Sequence, residues 1–220
     1  MTQKTFVYVD GFNLYYRLLK RNPEFKWLNL NQLAHILLPN AQIEKINYYT
    51  ARVSGRVDET APKDQNTYLS ALKTLPNLDI HYGQFAVHPQ RAFLEQPIQF
   101  FPDCPINFPK DNIPAFVSIL KTEEKGSDVN LGAHLVRDGC LKKFDRAAII
   151  TNDTDLCEPV RIVTKELGLH VTLLAPSYNP TRSLKDLATD VRHIRPQHLK
   201  KSQFPDRIGQ LKKPVGWVKK

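Results

Sequence analysis

Phe6-Val7-Tyr8-Val9-Asp10-Gly11-Phe12-Asn13 is a short apolar run that halts at an aspartate and a glycine before a new helical pattern begins. Short apolar runs bounded by turn formers read as strands buried on both faces of a parallel sheet. A second phrase, Ala147-Ala148-Ile149-Ile150-Thr151-Asn152-Asp153-Thr154-Asp155, repeats the arrangement. Around these two, strands are expected near residues 5–9, 43–50, 78–87, 115–120, 146–151, 169–174 and 190–194. Helices are expected near 12–20, 29–38, 63–74, 128–141, 154–167 and 182–188. Alternation of this kind predicts an α/β fold with a central, mostly parallel sheet and helices on both faces. A length of 220 residues fits one domain with its own core.

In open sheets of this class the ligand crevice lies outside the carboxyl ends of the strands. Asp10 and Asp153 are expected there. Lys125-Gly126-Ser127-Asp128-Val129 opens a helical segment and brings Asp128 to the same rim, and Asp155 follows Asp153 by two positions. Taken singly, each acid has a plain structural account as a turn residue, a helix N-cap or a charge in a first helical turn. As a set at one sheet edge they repel one another, and oxygen-only donors suit a hard divalent cation. Four carboxylates are enough for one ion or two.

The net charge is +9, and it is unevenly spread. From Arg195 to Lys220 eight Lys or Arg face the single acid Asp206, which leaves +7 there and +2 for the rest. The chain therefore divides into a body, 1–194, and a basic C-terminal arm, 195–220, with a polyanion as the expected partner of the arm. Phe204, Ile208 and Trp217 in the arm offer a second reading, docking onto the body. Residues 89–114 are rich in Pro and Phe, too apolar for a linker, and are read as an insertion or lid over one sheet edge, or a homodimer contact. No apolar stretch is long enough to span a bilayer, and Met1-Thr2-Gln3-Lys4 runs straight into a strand, so neither a membrane anchor nor a secretory signal is expected. Cys104, Cys140 and Cys157 form no disulfide framework or zinc spacing, which points to a cytoplasmic setting. The phosphate cradle of P-loop enzymes is missing. Asp153-Thr154-Asp155 mimics the nucleophile motif of haloacid dehalogenase phosphatases but comes late in the chain rather than on the first strand.

The phrases V-D-G-F-N at 9–13, E-K-G-S-D-V at 124–129 and T-N-D-T-D-L at 151–156 resemble the three motifs of the NYN domain, a branch of the PIN-like metal-dependent ribonucleases, and specifically its LabA-like group. The similarity covers roughly residues 4–194. It implies a Rossmann-like PIN fold in which Asp10, Asp128, Asp153 and Asp155 bind Mg²⁺ or Mn²⁺ and hydrolyse RNA, single-stranded RNA being the expected partner. Asn13 matches the motif asparagine and Thr151 the usual serine; both are expected to orient ligands. Lys125 and Arg17 are the expected phosphate contacts. Asn152 stands where a glycine is usual, and Leu156 where an aromatic is usual. The alternative carried beside the ribonuclease is an RNA-binding or regulatory module with a slow or silent site.

Overall fold

The computed structural model describes residues 3–55, 58–95 and 115–219. Strand β1 (Lys4–Asp10) runs into α1 (Gly11–Leu14), which continues as a π-helical turn, Tyr15–Leu19. Then come α2 (Leu30–Leu37), β2 (Gln42–Thr50), α3 (Ala61–Leu72), β3 (Leu78–Tyr82), β4 (Gln84–Phe93) and β5 (Phe116–Lys125). The second half comprises α4 (Ser127–Cys140), β6 (Arg146–Ile150), α5 (Cys157–Arg161), β7 (His170–Ala175), α6 (Arg182–Leu187), β8 (Asp190–His193) and α7 (Pro196–Lys201). A short pair, β9 (Arg207–Ile208) and β10 (Leu211–Lys212), follows.

Six strands form one all-parallel sheet in the order β3-β2-β1-β6-β7-β8, the expected α/β architecture. Along β1 alternate side chains serve opposite faces. Val7 and Val9 join a core with α2 and α3, whereas Phe6 and Tyr8 join a second core with α4 and α5. Tyr8 is held further by its hydroxyl, which donates to the buried carboxylate of Asp138 at 3.0 Å; Arg137 and Lys143 donate to the same carboxylate. The strand order reverses between β1 and β6, so these two open a crevice at their carboxyl ends.

Two expectations are revised. The strand anticipated over 78–87 breaks at Gly83, whose N–H donates to the Thr50 carbonyl at 2.7 Å. A side chain at Gly83 would collide with Glu124 and with the Lys125 carbonyl, so only glycine permits this close crossing. Beyond it, β4 leaves the main sheet and pairs antiparallel with β5 as a separate two-stranded ribbon, from Gln84 against Lys125 to Phe93 against Phe116. Residues 115–120 therefore serve the ribbon rather than the central sheet. Pro89 is tolerated because a two-stranded ribbon leaves each strand one unpaired edge. Of the 89–114 insertion, residues 96–114, with Cys104, lie outside the described residues.

The segment from Arg195 onward packs against the body. Leu199, Phe204 and Trp217 belong to the first core. The Trp27 indole N–H donates to the Pro205 carbonyl at 2.8 Å, and the Phe204 N–H to the Trp27 carbonyl at 2.9 Å. No helix of the described residues is long and apolar enough to cross a membrane.

Candidate active site

Asp10 ends β1 and caps α1. It is 3 % exposed, and each of its oxygens is engaged. Oδ1 accepts from the Asn13 N–H at 2.8 Å, and Oδ2 from the Thr151 hydroxyl at 2.9 Å. Thr151 Oγ1 accepts in turn from the Asp153 N–H at 3.1 Å. Asn13 Oδ1 accepts from the Asn152 N–H at 3.1 Å, which ties the two strand ends together. Asn152 uses its own Oδ1 to accept from the Thr181 N–H at 2.8 Å. The residue that departs from the motif thus anchors a neighbouring loop. Gly11 is required for close approach, since a Cβ there would stand 2.6 Å from the Tyr49 carbonyl oxygen and 2.7 Å from the Tyr48 ring.

The acids share one electrostatic neighbourhood. Burial first, and then the charges of Asp153 and Glu124, push the Asp10 carboxyl up to about 6 against the hydrogen bonds from Asn13 and Thr151. Burial also leads at Asp128, where Asp10, Asp153, Glu124 and Asp155 follow in that order and push the carboxyl up to about 7. Carboxyls raised this way hold or release a proton near neutrality. Asp153 is half-buried and caps its turn by accepting from the Asp155 N–H at 3.0 Å; Asp155 itself lies exposed at the rim.

Glu124 is the residue that sequence reasoning missed. It belongs to the motif phrase E-K-G-S-D-V, and its Oε1 accepts from the Ser127 N–H at 3.0 Å, which stands it beside Asp128 at the end of the ribbon. The signal that identifies it is its position one turn before the helix, in a capping role. The two basic residues expected at the site are less engaged. Lys125 is well exposed and pairs with Glu123 at 3.3 Å, and Arg17 is exposed with no ion pair among the described residues.

The donor set is oxygen-only, the chemistry of a hard cation. Its arrangement is another matter. Among the described residues no three His, Cys, Asp or Glu side chains gather around one point as an ion requires. Asp10 accepts one hydrogen bond on each oxygen, from Asn13 and Thr151, and no step below runs through a metal.

A pocket of about 330 Å³ adjoins the crevice. Gly11 and Phe12, which follow Asp10 in the chain, line it together with Tyr48, Tyr68 and Trp217, whereas Asp10, Asp128 and Asp153 do not.

No family model matches the chain. The chain is 27% identical over 221 residues, 91% of its own length and 68% of the relative's, to the 6-hydroxy-3-succinoylpyridine 3-monooxygenase HspA of Pseudomonas putida. The fold resembles a crystal structure of a protein of unknown function from Vibrio parahaemolyticus, with a TM-score of 0.56 at 15% identity, covering 89% of this chain and 94% of that one. The first of these findings corrects the expected enzyme class: a relative aligned over nearly the whole chain is named for a monooxygenase, an oxidoreductase, and the expectation of a metal-dependent ribonuclease of the hydrolase class is withdrawn.

Proposed function

We propose that the chain is an oxidoreductase of the monooxygenase class, acting on a small organic molecule at the crevice between β1 and β6, with Asp10 and Asp128 as its proton-handling groups. The observation that carries this reading is the pair of carboxyls raised to about 6 and about 7 at the sheet edge, with a pocket lined by Gly11 and Phe12, the two residues that follow Asp10. Monooxygenation places one atom of dioxygen in the substrate and reduces the other to water, which consumes two electrons and two protons. A general acid is most effective when its pKa lies near the working pH. Two neighbouring carboxyls in that range meet the proton demand, and the hydrogen bonds from Asn13 and Thr151 hold Asp10 in place for it.

The electrons come from a two-electron donor. The turn after β1, where doubly wound folds cradle a pyrophosphate on backbone amides, carries Asp10 instead of a glycine-rich loop. A carboxylate there opposes a pyrophosphate, so a dinucleotide donor is not held at that turn.

The test supplies the protein with ¹⁸O-labelled dioxygen, a reduced nicotinamide and 6-hydroxy-3-succinoylpyridine, the compound in the relative's name. Labelled oxygen in the product is expected, and Asp10→Asn and Asp128→Asn should each lower kcat, by 10² to 10⁴ if each carboxyl acts in general acid–base catalysis. Label absent from every product, or both variants turning over at the parent rate, refutes the reading.

A further inference from the structure

The pocket beside the crevice has a composition of its own. Its walls come from α1 and the π-helical turn after it, Lys26, the end of β2 and the loop that follows, α3, and the C-terminal segment at Trp217. Small-molecule sites run from about 300 to 1,000 Å³, so a pocket of about 330 Å³ takes a single ring with a short substituent and not a dinucleotide. The rings of the walls meet one another edge-on. Tyr68 and Trp217 lie 6.0 Å apart at 65°, and Tyr48 and Tyr68 lie 6.4 Å apart at 89°. In this arrangement the edge of one ring rests on the face of the next, which holds Tyr48, Tyr68 and Trp217 as a rigid apolar wall for the guest.

Charge is equally specific. The Lys26 ammonium lies 5.4 Å from the Tyr15 ring centroid and 5.9 Å from that of Trp217, and the Lys20 ammonium lies 4.9 Å from that of Tyr16. Both lysines line the pocket, and among the described residues neither is ion-paired with a carboxylate. Of the two acids in the walls, Asp58 already accepts from the Thr60 N–H and hydroxyl and from the Ala61 N–H, which caps α3. Asp64 is left as an acceptor for a ring hydroxyl or ring N–H.

We propose that this pocket binds a planar aromatic acid of one ring, its ring against Tyr68 and Trp217 and its carboxylate beside Lys20 and Lys26. As an assignment of substrate class this rests on the oxidoreductase reading; as a binding site it stands by itself. Gly11 and Phe12, which follow Asp10 in the chain, line the pocket and link it to the proposed site of oxygenation.

Binding is measured on the whole protein without reductant, by tryptophan fluorescence with three probes: 4-hydroxybenzoate, its neutral amide 4-hydroxybenzamide, and cyclohexanecarboxylate, an acid without an aromatic ring. Saturable one-to-one binding of 4-hydroxybenzoate is expected, with the amide about tenfold weaker, the worth of one hydrogen bond to a charged group, and the alicyclic acid weaker for want of the planar ring. Lys20→Met combined with Lys26→Met, with folding checked by thermal melting, should erase the preference for acid over amide. Trp217→Leu should weaken all the ring-bearing probes. A parent that binds the three probes equally, or none of them saturably, overturns the proposal, as does a double lysine variant that keeps the preference. The two readings fail separately. Turnover with an unchanged KM in the double lysine variant sinks the pocket and spares the oxidoreductase. Saturable binding of the aromatic acid without any incorporation of labelled oxygen does the reverse.

Discussion

Replacing Asp10 with Asn should lower kcat by about 10² to 10⁴ and yet make the protein more stable at neutral pH. The carboxyl of Asp10 rises from 3.8 to about 6 in the folded chain, chiefly through burial. At 1.36 kcal/mol per unit, a rise of about two units opposes folding by roughly 3 kcal/mol once the group is ionised. Asn is close to isosteric with Asp, and its Oδ1 still accepts from the Asn13 N–H. Thr151 must now accept from the new amide while it also accepts from Asp153, so its own hydroxyl hydrogen loses its partner at a cost of about 1 kcal/mol. The net gain is about 2 kcal/mol, or roughly 4–8 °C in Tm for a chain of this size. The sign depends on pH. Because the folded carboxyl holds its proton more tightly than the unfolded one, the parent loses stability as pH rises from about 4 through about 6. The advantage of the variant is therefore absent below about pH 4 and complete above about pH 6. Calorimetric melting of both proteins across this range is the assay. A variant that melts at or below the parent temperature above neutrality, or a difference that does not change with pH, refutes the reasoning.

Glu124→Gln keeps the hydrogen bond from Ser127 but removes a charge that raises Asp128, so the pH–rate limb set by Asp128 should move down from about 7; an unmoved limb places Glu124 outside the site. Asp138→Ala strands the buried Tyr8 hydroxyl and should cost about 1–3 kcal/mol in urea unfolding at neutral pH. Burial opposes ionisation of Asp138, but hydrogen bonds from Arg137, Lys143 and Tyr8 outweigh it and hold its carboxyl below the usual range. The deficit of the alanine variant should therefore shrink as pH falls below about 4, where the parent also loses the interaction.

The parallel sheet was legible because a strand buried on both faces leaves an unbroken apolar run, and β1 and β6 are such runs ending in acids. Asp10, Asp128 and Asp153 were legible for the same reason: the ends of those strands and the start of α4 have nowhere else to go. What the sequence hid is set by long-range contact. Nothing local distinguishes a strand that stays in the sheet from one that departs at Gly83, because the decision depends on how close the Lys125 backbone comes. Docking of Trp217 is the second reading of the basic arm and it holds, but its partners Trp27 and Tyr68, 190 and 149 positions earlier in the chain, have no local signal. Glu124 was visible only as a letter of the motif phrase, and its role depends on Asp128 and Asp10 lying near it in the fold.

The union of β1 with β6 also bears on the order in which the molecule assembles. Thr151 and Asp10 are 141 positions apart, so the two halves of the sheet, β1–β3 and β6–β8, must close a very long loop before either strand end meets the other. Contacts of such sequence separation form late and slow folding. Both cores span the two halves, since Val7 and Val9 pack with Ala148, Ile150 and Leu174, and Phe6 and Tyr8 with Ile149 and Leu173. Closure therefore brings the carboxylates together in the same event that buries the shared apolar surface, and the repulsion of the acids is set directly against that hydrophobic gain.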